Sequence, residues 1–79
     1  MRAHRAHKYA IQRIKDFDAS EGDVLWFSAD TGSWDESLIS QDGNDILYRM
    51  GDKDYKIAEL YGIDPSLVTE AIDNAVFIN

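Results

Sequence analysis

The sequence predicts a mainly β fold, either a short antiparallel meander or a β-roll-like cap, with one short C-terminal helix. Three observations predict it. Short β-branched and aromatic runs recur between turn residues, as in Val24-Leu25-Trp26-Phe27-Ser28. Asp45 to Met50 alternates with a period of two, with Ile46, Tyr48 and Met50 on one face and Leu47 and Arg49 on the other. Helical spacing is confined to Leu67, Val68, Ala71 and Ile72, behind a helix start at Asp64-Pro65.

Residues 1–10 read as a disordered basic tail and residues 11–79 as a single β-rich module. The tail holds a short polar repeat, Arg2-Ala3-His4 and Arg5-Ala6-His7, with no apolar period behind it. From Tyr9 onward Ile11, Ile14 and Phe17 recur every three residues. A strand over Ile11–Phe17 is preferred because the turn residues Ala19-Ser20-Glu21-Gly22 follow at once. Val24–Ser28 is the next strand. Asp30-Thr31-Gly32-Ser33 is a loop, with Trp34 as its anchor on the core. Ser37–Ser40 is a short strand, and Asp42-Gly43 is suited to a turn with positive φ. Asp45–Met50 and Tyr55–Leu60 complete three consecutive strands joined by short turns, which is a meander. Asp64 as N-cap and Pro65 at the first helical position open a helix to Asp73. Ala75–Ile78 closes the chain as a strand. Ile11, Ile14, Phe17, Trp26, Ile46, Tyr48, Ile57 and Leu60 form the expected core or docking face.

Seventy-nine residues make one domain with a modest core, and a chain this small often relies on a metal, a partner or a neighbouring domain. It has no cysteine, which excludes disulfides and thiolate metal sites. The charge is segregated. Five of the eight Lys and Arg residues precede Asp16 and no acid does; from Asp16 onward fifteen acids face Arg49, Lys53 and Lys56. A body that acidic repels phosphate backbones and anionic lipid, so no nucleic-acid partner is expected. No apolar run approaches the ~18 residues of a membrane span, so no membrane insertion is expected. The N-terminus lacks the apolar stretch of a cleaved signal peptide.

Two carboxylate groups are the candidate calcium ligands. Asp16, Asp18, Glu21 and Asp23 fall within eight residues around Gly22, though no glutamate stands at the twelfth position, where Phe27 lies. Asp42, Asp45, Asp52 and Asp54 form the second group. In a hairpin their two turns lie at opposite ends; in a β-roll Asp45 and Asp54, nine residues apart, would stack on successive turns. The plain reading of both groups is solvated turn carboxylates. His4 and His7 read as incidental tail histidines. The body has neither His nor Cys, so its serines lack the usual base. No catalysis is expected, with a small carboxylate enzyme as the remote alternative.

The order of motifs resembles a known family. Ile14-Lys15-Asp16-Phe17-Asp18, then Gly22-Asp23-Val24-Leu25, resembles the segment that follows the calcium-binding nonapeptide repeats of RTX (hemolysin-type) secreted proteins. Asp42-Gly43-Asn44-Asp45-Ile46-Leu47, Gly51-Asp52 with Ile57-x-x-Leu60-x-Gly62-Ile63, and finally Asp64–Leu67 with Ala75–Ile78 resemble the elements that come next, over nearly the whole chain. No complete nonapeptide repeat is present. The resemblance implies a non-catalytic C-terminal cap on a calcium-dependent β-roll. It implies an uncleaved type I secretion signal at Ala75, Val76, Phe77 and Ile78. Calcium at Asp16, Asp18, Asp23, Asp45 and Asp54 is the possible cofactor. The expected partners are an upstream repeat domain or a second copy, and the type I export machinery. The expected location is extracellular. The basic head and the missing repeats leave an alternative, a free-standing intracellular interaction module that is dimeric.

Overall fold

The computed structural model describes residues 2–8, 10–28 and 33–78. Among the described residues seven strands form two sheets that share one core with one α-helix. Strand β1 spans Arg2–Arg5, β2 Gln12–Lys15, β3 Asp23–Ser28, β4 Ile39–Asp42, β5 Asp45–Met50, β6 Lys53–Tyr61 and β7 Val76–Ile78; helix α1 is Pro65–Asp73. One sheet has the order β1-β3-β7, the other β2-β6-β5-β4.

The pairing directions define the architecture. β1 pairs with β3 in parallel, β3 with β7 in parallel, and β2 with β6 in parallel. The chain therefore runs from one sheet to the other and back, and β3, β6 and β7 are each laid in parallel beside an earlier strand. That is a two-sheet roll. The antiparallel hairpins β4–β5 and β5–β6 are inserted in the second sheet. The two expected forms thus coexist: a meander over Ile39–Tyr61, set in a parallel winding. Parallel neighbours need a crossover connection, and here the crossover is the opposite sheet or α1.

The core follows the pleat. Leu25 and Phe27 are fully buried, while Val24 and Trp26 point to the other face and are half-buried. Trp26 is therefore not the core residue of its strand; the alternation puts its neighbours inside. Phe27 stacks on Phe77 at 4.7 Å and meets Trp34 edge-on at 5.0 Å, and Trp34 meets Tyr48 at 4.8 Å. This aromatic column joins β7, β3 and β5 across both sheets. Trp34 anchors its loop as expected: its indole N–H donates to the Ser28 carbonyl at 3.1 Å, and the Tyr48 hydroxyl accepts from the Asp35 N–H at 3.0 Å. Burying a large side chain such as Phe27 contributes about 1.5–3 kcal/mol. The expected loop at Asp30–Ser33 lies, apart from Ser33, outside the described residues.

Three expectations are corrected. Residues 2–5, expected in a disordered tail, form β1, and Ala6 behind them is 2% exposed. Ile11 is 45% exposed, because β2 begins one residue later and Ile14 and Phe17 supply the burial. Ser37 and Leu38 lie in a single 3-10 turn, Glu36–Leu38, capped by the Asp35 carboxylate through the Ser37 N–H and hydroxyl. The helix matches its expected span, with Val68 and Ala71 buried and Leu67 exposed. Asp64 caps it through its carbonyl, which accepts from the Leu67 and Val68 N–H groups; its side chain makes no cap hydrogen bond.

Candidate functional site

The two ends of the winding differ. At the first end, β1 and β2 are the outer strands of their sheets. The Arg2 and Ala6 N–H groups donate to Gly22 and Trp26 of β3, and the Asp16 N–H donates to Tyr61 of β6. In a parallel ladder alternate residues bond to opposite neighbours. The backbone groups of Ala3 in β1, and of Arg13 and Lys15 in β2, therefore face outward. This end offers two short parallel edges side by side, one per sheet, as an open rung. Isolated edges of this kind invite another strand.

The open end is also the basic end. Arg2, Arg5, Arg13 and Lys15 are exposed on it. Lys8, in the connection between β1 and β2, turns inward and lies 5.3 Å from the Trp34 ring and 5.2 Å from the Tyr48 ring, a cation–π clamp on the aromatic column. A groove of about 510 Å³ beside it is lined by Lys8, Ala10, Ile11, Met50, Tyr55 and Lys56. It exists because β2 is shorter than β6 and leaves the start of β6 uncovered.

The far end differs. Its outer strands are β7 and β4, and β4 is held by an antiparallel pairing. Helix α1 is tied to β4: the Gln41 amide donates to the Pro65 carbonyl at 2.9 Å, and the Thr69 hydroxyl donates to Gln41 Oε1 at 2.6 Å. An antiparallel edge with a helix fastened to it does not continue the parallel winding.

Four of the candidate calcium ligands, Asp18, Asp23, Asp45 and Asp54, have partners within the chain. Asp18 Oδ1 accepts from the Ser20 N–H and hydroxyl, and Asp23 Oδ2 accepts from the Asp18 N–H. That backbone N–H holds the Asp23 carboxyl below the usual carboxylate range, against the opposing effect of burial, with smaller contributions from His4 and Arg2. His4 Nε2 lies 3.6 Å from Asp23 Oδ2 and its ring rests 5.5 Å from Phe17. Asp16 sits at φ 55°, between β2 and the turn. Asp45 is opposite Glu59 and Asp54 is opposite Arg49, near the two ends of the β5–β6 ladder. Stacking of Asp45 and Asp54 on successive turns is therefore not what the hairpin gives. Lys56 Nζ bridges Asp45 at 3.1 Å and Glu59 at 2.8 Å, and Arg49 reaches Asp54 at 3.8 Å. The two carboxylates, Glu59 first, raise the Lys56 pKa. A calcium shell needs six to eight oxygens converging on one point. In this arrangement Asp18 and Asp23 serve hydrogen-bond donors, and Asp45 and Asp54 serve cations. At the C-terminus Val76 and Ile78 are exposed on β7, Ala75 is half-buried, and Phe77 is held against Phe27.

The chain matches no family model, and no curated protein or solved structure is significantly similar to it.

Sequence reasoning missed β1 as a functional element. Its signal is faint: the tripeptide repeat has a period of three, which masks a period-two strand with exposed Ala3 and Arg5 and inward His4 and Ala6.

Proposed function

We propose that the chain is a non-catalytic end module that closes a parallel two-sheet β-roll, with the preceding turn of the roll seated on the outer edges of β1 and β2. The observation that carries this reading is the asymmetry of the two ends, one formed by two parallel-paired strands, β1 and β2, and the other including the antiparallel edge β4 fastened to α1. Stacked repeat arrays expose a raw apolar end and need an atypical terminal unit. A unit that continues the parallel winding on one side and changes to antiparallel hairpins on the other has the form that role requires. The ordered resemblance to the segment after RTX repeats points the same way.

The test places the full chain directly after a parallel two-sheet roll that lacks its own terminal unit. The fused roll is expected to be monomeric and to melt higher than the uncapped roll, by roughly 4–8 °C for each kcal/mol gained in a unit this small. An unchanged melting temperature together with continued self-association contradicts the proposal.

A further inference from the structure

We infer that the strand pair seated on the open end is acidic, with carboxylates at the register positions beside Arg13 and Lys15, and that charge matching selects it over a neutral rung. This rests on the capping reading and names its partner's chemistry. Residues 2–15 contain five Lys and Arg and no acid. Arg49 is matched to Asp54, and Lys56 to Asp45 and Glu59. Among the described residues Arg13 and Lys15 have no ion pair. Both are exposed, and both sit at positions whose backbone groups face outward. In the column through Arg13 each charge already has an opposite charge beside it. Its cross-strand neighbour is Glu59, whose next neighbour is Asp45, with Lys56 bridging those two acids. Opposite charges on directly adjacent strands stabilise a ladder and like charges weaken it. The next rung outward from Arg13 is therefore a carboxylate position.

The same charges exclude other occupants. Two open ends facing each other bring the two basic edges together, so the end does not pair with its own copy. A long polyanion is held off by the remainder of the chain, which carries fifteen acids against three bases.

The experiment uses two fusions of the full chain to the same two-sheet roll, with chelator present. In one, the outer-face residues of the last rung are Asp; in the other they are Asn. The Asp fusion is expected to melt higher by roughly 4–8 °C at low salt, the size that one or two surface ion pairs give in a domain this small. The difference closes at high salt and disappears in R13Q/K15Q, whose free chain keeps its circular dichroism. Equal melting of the two fusions at low salt overturns the acidic partner and leaves the capping reading standing. Stabilisation of neither fusion overturns both. A short DNA duplex that binds the free chain at low salt, and loses binding in R13Q/K15Q, overturns the inference by assigning the open end to a polyanion.

Discussion

Asp23 shows how one residue links the first strand to the turn that follows the second. Its carboxylate accepts from the Asp18 N–H across the β2–β3 turn and lies beside His4 of β1. Because its pKa is lowered in the folded chain, its contribution to stability is present above the ordinary Asp value of 3.8 and is lost as pH falls through the lower folded value. Asp23→Asn is expected to lower the melting temperature at neutral pH, with the gap from the parent closing as pH falls below about 4. Melting curves between neutral pH and pH 2 check this; a gap independent of pH means that the charge of Asp23 does nothing. At this scale the sequence was informative where a side chain had one dominant option. Trp34 as a loop anchor, and Ile46, Tyr48 and Ile57 as core, were legible from type and alternation. Trp26 was not, because an indole next to Leu25 and Phe27 looks equally apolar, and the phase of a six-residue strand is set by which neighbours fill the space between sheets.

At the scale of elements, the local signals held and the long-range pairings did not show. The Pro65–Asp73 helix, the Asp42-Gly43 turn and the β4–β5–β6 meander all rest on contacts within a few residues of chain. The parallel pairs β1–β3, β2–β6 and β3–β7 join residues about twenty to fifty positions apart, and nothing in a single sequence states the register. A β-bulge also broke the expected alternation of β6. Register slips between Ile46 and Leu47, so Ile57 and Ala58 are both buried and Tyr55, on the Ile57 face by strict alternation, is exposed. One turn gives a test of how tightly the winding is closed. Gly43 at φ +61° has open space where a Cβ would stand, whereas at Gly62, φ +84°, a Cβ would lie 2.5 Å from Asp16 Oδ1. Gly43→Ala is expected to cost about 1–2 kcal/mol from the left-handed backbone alone. Gly62→Ala is expected to cost more, and Asp16→Gly in the same chain to recover part of the excess. Urea denaturation of the three variants measures this, and equal losses at the two glycines would show that the Asp16–Gly62 contact is not close.

On the scale of the whole molecule, sequence and structure divide the chain in the same place. The charge boundary at Asp16 falls just after β2, so the basic segment is the open rung and the acidic remainder is the body and far end. The composition was legible but its meaning was not, since a basic head reads as a solvated tail until β1 is seen paired with β3. The central claim is that the outer edges of β1 and β2 are a vacant rung for a preceding turn of roll. Amide hydrogen exchange at Ala3, Arg13 and Lys15, compared between the free chain and the chain fused behind a two-sheet roll, tests it most directly. The account predicts fast exchange at these three amides in the free chain and strong protection in the fusion. Fast exchange in both, with the upstream roll folded, would contradict it.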